Sequence, residues 1–167
     1  MLTRRDFVNL SLAGTAAFAF GTGPAAAQAI DQLQLFLAYY PETNLKDSCN
    51  TLIDGLRSKL EVKDYAAAKQ YFTLRNYESA RVALTNFVRK WPNSIYREDA
   101  LFTVLESDHD LAMNSVDVKK AQRIDEGIRS FNNFADAFPE SGRMNEARRL
   151  QADLTLLLER LNNAPKP

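Results

Sequence analysis

Chemistry in this chain has few side chains to start from. Cys49 is the only cysteine, and His109, within Asp108-His109-Asp110, is the only histidine. A cysteine nucleophile needs a base such as His held beside it, and one Cys with one His cannot build a zinc site alone. Asp108-His109-Asp110 invites a metal reading. Adjacent residues on a helix point about 100° apart, however, and cannot converge on one ion, so this stretch reads as a solvated polar face. The sequence contains no Gly-rich phosphate loop, no Ser-His-Asp set and no metal-ligand spacing. The expectation is a protein that is not an enzyme, with no catalytic, cofactor-binding or metal residues and no small-molecule substrate.

Two groups of residues are candidates for binding a protein partner instead. Lys119, Lys120 and Arg123 fall in the first turns of a helix expected after Ser115, where the macrodipole disfavours positive charge. Cations placed against a dipole can be held by a partner's carboxylates, or screened by Asp125 and Glu126 on the same helix. Tyr39, Tyr96 and Phe102 lie off or at the edge of the main apolar stripes, and aromatics on a repeat surface commonly anchor partners.

The elements that must position these residues follow from composition and order. The chain has 167 residues, 46% hydrophobic and 25% charged, with 21 Lys plus Arg against 21 Asp plus Glu. That is the length of one domain with a real core. A zero formal charge supplies no basic field for nucleic acid. Six Gly, six Pro and one Cys exclude collagen-like, disordered and disulfide-framework classes.

The first 28 residues read as an export signal rather than fold. Arg4 and Arg5 precede Phe7, an apolar stretch runs from Val8 to Phe20, and small residues follow from Ala25 to Ala29. The apolar stretch is shorter than the roughly 20 residues of a spanning helix, and TRRDFV resembles a twin-arginine signature. No Cys directly follows it, so the expected product is not lipid-anchored through its own chain. This gives an export signal over 1–28, a helical domain over 29–161 and a flexible tail over 162–167.

The body repeats one pattern three times. The clearest copy is Tyr77, Ala80, Leu84, Phe87, Trp91, Pro92, Ser94, Ala100. Shifted forward by 47 it becomes Ile124, Gly127, Phe131, Phe134, Phe138, Pro139, Ser141, Ala147, and shifted back by 51 it becomes Ala26, Ala29, Leu33, Phe36, Tyr40, Pro41, Thr43, Cys49. Steps of three and four mark one helical face. The aromatic-Pro pair stops each helix, and a Ser or Thr two residues later can cap the next. The small residue six positions further on lets two helices approach, which makes Cys49 the counterpart of Ala100 and Ala147. Every stripe is helical and none alternates, so the expected fold is an all-α, tetratricopeptide-like helical-hairpin solenoid with elongated helices. One helix of about 28 residues is expected over Leu45–Leu74, with Gly55 its weakest point. Further helices are expected over Glu98–Met113, from Asp117 with its side chain as a cap, and over Met144–Leu161. Asp64 stands where the tetratricopeptide motif usually has Trp.

From Ala29 to Leu161 the chain resembles the BamD-type tetratricopeptide lipoproteins of the outer-membrane β-barrel assembly machinery, and its Bacteroidetes-like members most. The stretches that bear the resemblance are AIDQLQLFLAYYP, CNTLIDGLRSKLE, AKQYF, YREDALF, LAMNSV with the following KK, and FNNFADAFPES. The resemblance implies a non-enzymatic scaffold that docks to a barrel-forming assembly protein at the periplasmic face of the outer membrane, touching the membrane only indirectly. The chain departs from that family in lacking the lipobox Cys and in entering the array at the second helix of a repeat, as an N-terminally shortened version would. The alternatives are a periplasmic tetratricopeptide-like adaptor of cell-envelope or division complexes, and an exported enzyme or redox subunit.

Overall fold

The computed structural model describes residues 23–163. Its elements are six α-helices: α1 Gly23–Tyr39, α2 Lys46–Thr73, α3 Tyr77–Lys90, α4 Arg97–Met113, α5 Asp117–Ala137 and α6 Met144–Asn163. The fold is an all-α array of helical hairpins of the tetratricopeptide-like kind. Arg4, Arg5, Phe7 and the last four residues lie outside the described residues. Residues 23–28, placed with the export signal by the sequence, form the first turns of α1. The reason is local: Ala25, Ala26, Ala27 and Ala29 are strong helix formers that extend the helix of Leu33 and Phe36 backwards.

The repeat in the sequence is a repeat of hydrogen bonds. Tyr40, Trp91 and Phe138 each donate their backbone N–H four residues back, to the carbonyls of Phe36, Phe87 and Phe134 at 2.9–3.0 Å. The following proline ends each helix there. Thr43, Ser94 and Ser141 then donate their backbone N–H to the same aromatic's carbonyl, at 3.1–3.2 Å. Their hydroxyl oxygens accept from the N–H two residues on, those of Leu45, Tyr96 and Arg143, at 3.3, 3.0 and 3.0 Å. Each turn thereby satisfies the free donors of the next helix start. Six residues past each Ser or Thr, Cys49, Ala100 and Ala147 are buried, the two alanines completely.

The chain divides into two compact units, with the boundary after Leu60. In the first, α1 packs on the beginning of α2 through Ile30, Ile53 and Leu56, joined by Leu33, Leu37 and Leu60. Leu33 is thus half-covered by α2. The helix α2 itself has the 28 residues expected of it and stays helical through Gly55.

In the second unit α4 is central and packs against α3, α5 and α6. One cluster joins Ala80, Leu84 and Phe87 of α3 to Ala100 and Val104. A second joins Phe102 and Leu105 to Phe131, Phe134, Met144 and Ala147. A third joins Ala112 to Ile124 and Leu154. The α5–α6 approach is close at Gly127, where a Cβ would lie 2.7 Å from Leu154 Cδ1. Arg75, at φ 58°, ends α2 in the left-handed region that favours glycine. Asn76 follows and caps α3, its side chain accepting from the Ser79 N–H at 3.2 Å.

The start of α5 differs from expectation. Val116, not Asp117, is the cap residue, and it makes no side-chain capping bond. Asp117 is already helical and instead holds Lys120.

Candidate functional site

Among the described residues, the basic triad of α5 divides into one cation without an ion pair and two committed ones. Lys120 reaches back one turn to Asp117, Nζ to Oδ1 at 3.2 Å. Arg123 donates to Ser115 Oγ at 2.6 Å and to the Leu111 carbonyl at 3.3 Å. Its other nitrogen lies 3.6 Å from Glu78 on α3. The Leu111 carbonyl, which also accepts from Ser115 Oγ at 2.6 Å, lies at the negative end of α4, which favours a cation. Arg123 is therefore a brace between helix ends. The screening expected from Asp125 and Glu126 comes instead from Asp117, Glu78 and the end of α4. Lys119 is exposed and has no ion pair among the described residues. Around it Val118 is 94% exposed, with Val116 and Met113 also exposed.

The three aromatics differ in their surroundings. Tyr39 is exposed at the end of α1, in the first unit. Tyr96 precedes α4, half-buried and stacked on Tyr65 with centroids 4.4 Å apart. It is separated from Lys119 by the whole length of α4, about 25 Å at 1.5 Å per residue. Phe102 is a correction to the sequence reading: it is fully buried, edge-on to Phe134 at 5.3 Å. The Arg143 guanidinium lies 3.5 Å from its ring centroid. It is core and offers nothing to a partner.

Asp108-His109-Asp110 is a second correction, since Asp108 is only 2% exposed. Ser130 Oγ donates to its Oδ2 at 2.5 Å, and Arg81 Nε stands 3.5 Å from its Oδ1. Arg81 also reaches Glu126 on α5 at 2.5 Å. Burial is the largest influence on the Asp108 carboxyl and pushes it up to about 6, against the Ser130 hydrogen bond and the Arg81 charge, with Glu126 adding to the rise. The imidazole of His109 points elsewhere, 3.7 Å from both Asp110 and Asp153. Among the described residues no three His, Cys, Asp or Glu gather as metal ligands do.

Sequence reading missed the Arg81–Asp108–Glu126 group. These residues floor one end of an open groove of about 410 Å³ between α3, α4 and α5. A signal for it existed: Asp108 continues the Leu101, Val104, Leu105 stripe of α4, and a charge in an apolar register must find a partner.

A second polar network braces the opposite face of α4. Asp99 accepts from the Tyr65 hydroxyl and from Lys69 at 2.7 Å, and pairs with Arg143 at 2.8 Å. Burial works against its charge, yet the hydrogen bonds from Lys69 and Tyr65 and the Lys69 and Arg143 charges outweigh it and hold the carboxyl below its ordinary range. Glu106 nearby is pushed up by burial, against Arg143 and Lys69.

A hairpin array whose distinctive polar groups brace one helix to the next, with exposed side chains at its turns, defines a helical-repeat protein. The YfiO family, described as outer membrane lipoprotein, matches residues 22–124. The chain belongs to that BamD-like family, and the membership associates it with the outer membrane and its protein assembly. No curated protein matches it. No helix among the described residues is long and apolar enough to cross a membrane.

Proposed function

We propose that this protein is a non-enzymatic scaffold of the outer-membrane β-barrel assembly machinery. It acts from the periplasmic side by presenting helical-repeat surfaces to a barrel-forming assembly protein. On this reading residues 1–28 are the export address and 29–161 the repeat domain. The observation that supports it most is the α4–α5 turn, where family membership meets an unengaged surface. Lys119 stands exposed and without an ion pair among the described residues, beside Met113, Val116 and Val118, a cation with apolar flanks of the kind that anchors protein contacts. Arg123 and Asp117 hold the turn that presents it.

The test is affinity capture from a membrane extract with the purified chain as bait. Enrichment of a β-barrel assembly protein, reduced severalfold by Lys119→Glu, is the expected result. Capture equal to an unrelated helical-repeat control overturns the reading.

A further inference from the structure

Among the described residues, the unpaired charge in the groove between α3, α4 and α5 is all of one sign. The carboxylates that line it are engaged from within the fold. Asp108 accepts from Ser130 and stands against Arg81, while Glu126 takes Arg81 and, at 2.9 Å, the side-chain amide of Gln122. Two guanidiniums that line it are not engaged in this way. Arg89 on α3 and Arg129 on α5 are exposed and have no ion pair among the described residues. Arg129 Nε donates to the Asp125 carbonyl at 3.3 Å, which leaves its two terminal nitrogens for a ligand. A guanidinium is planar, and its paired N–H donors match the two oxygens of a carboxylate.

The spacing of the two cations fits a polypeptide. The helices α3 and α5 run parallel, because each is antiparallel to α4, and the Arg81–Glu126 pair fixes their register. Arg89 lies further along α3 from that pair than Arg129 does along α5, so the two are staggered by about 7 Å along the groove at 1.5 Å per residue. Side chains two positions apart in an extended chain are also about 7 Å apart, and the side chain between them points the other way. The floor beneath is apolar at Leu101 and Val104, with Val82 and Val88 on the α3 wall. A free inorganic anion would leave that surface uncovered, and the zero net charge of the chain supplies no wider field for nucleic acid.

We propose that this groove docks an extended acidic segment of a partner protein, with two carboxylates two positions apart held by Arg89 and Arg129. The side chain between those carboxylates turns down onto Leu101 and Val104. The buried Arg81–Asp108 pair stays closed beneath the segment and takes no part in recognition. The groove begins about two turns along α5 from Lys119, so it and the docking surface proposed there can fail independently.

The test uses the full chain, isotopically labelled for amide NMR, titrated with acetyl-Ser-Glu-Val-Glu-Ser-amide, with its Gln-Val-Gln counterpart and with free glutamate. The Glu peptide should shift the amides of 82–89 and 126–133, and the Gln peptide should bind about tenfold more weakly. Arg89→Gln and Arg129→Gln, both at exposed positions, should each weaken the Glu peptide by about threefold. The Gln peptide should bind both variants as it binds the wild type, which a mere disturbance of the groove would not allow, and Lys119→Glu should leave the Glu peptide's affinity unchanged. Equal affinity for the two peptides, unchanged affinity in both arginine variants, the same shifts from free glutamate, shifts outside the groove, or no shift at millimolar peptide overturns the proposal.

Discussion

The indole Nε1 of Trp91 donates to Oδ2 of Asp64 at 3.0 Å, and the same oxygen receives Lys90 Nζ at 2.7 Å. The carboxylate of α2 thereby ties the end of α3 to its own helix. Burial raises its proton affinity, but the Lys90 and Trp91 hydrogen bonds and the charges of Lys90 and Lys63 more than offset this and hold Asp64 below its ordinary range. Asp64→Ala leaves the indole N–H without its partner and should lower unfolding stability by about 1–2 kcal/mol. Trp91 is the only tryptophan, so its fluorescence in denaturant titration reports both the local change and the midpoint.

Asp64 and Asp99 together set the acid side of the stability curve. Both carboxyls are lowered in the folded state. The native chain therefore binds fewer protons than the unfolded one near their ordinary range, and stability is lost as pH falls below about 4. Asp99→Asn should flatten that acid limb relative to the wild type, read from midpoints between pH 5 and 3. An unchanged limb would mean that the Lys69–Asp99–Arg143 bridge adds nothing in solution.

Asp108 works in the opposite direction. Its carboxyl sits at about 6 rather than at 3.8. Between those values the folded state holds the proton that the unfolded state has released, so this group makes stability fall as pH rises from about 4 to 6. The shift corresponds to about 3 kcal/mol. Asp108→Asn removes the titration. The difference in stability between variant and wild type should therefore move in the variant's favour by up to that amount between pH 4 and 7.

Gly55 lies within α2, and a Cβ placed there meets nothing within 4 Å. Alanine costs less backbone entropy to order in a helix. Gly55→Ala should stabilise by about 1 kcal/mol, seen as a raised thermal midpoint. A loss would show that this position flexes in the native state.

Much of this architecture was legible because it depends on residues that act on their immediate neighbours. Each aromatic-Pro pair stops its helix, and Thr43, Ser94 and Ser141 cap the next within two residues of themselves. What escaped depends on partners far along the chain. Asp108 meets Arg81 and Ser130, both remote in sequence, and a scan for apolar stripes treats a charge as a gap. Phe102 was misplaced for a related reason. A stripe supposes one buried face, but α4 has helices on several sides and buries Phe102, Thr103, Val104 and Leu105 in succession.

The basic residues of α5 provide the sharpest separation of structure from binding. Arg123 spends its guanidinium on Ser115, the Leu111 carbonyl and Glu78. Arg123→Ala leaves the end of α4 without this donor and removes the ion pair to Glu78, so it should cost about 1–2 kcal/mol in denaturant unfolding. Lys119 touches no carboxylate among the described residues, and Lys119→Glu in the first turn of α5 replaces a charge the dipole disfavours with one it favours. It should leave stability unchanged or raise it by about 0.5 kcal/mol, while reducing partner capture. A Lys119→Glu protein that is less stable than the wild type would show that this side chain is another brace, and the docking surface would then have to lie elsewhere.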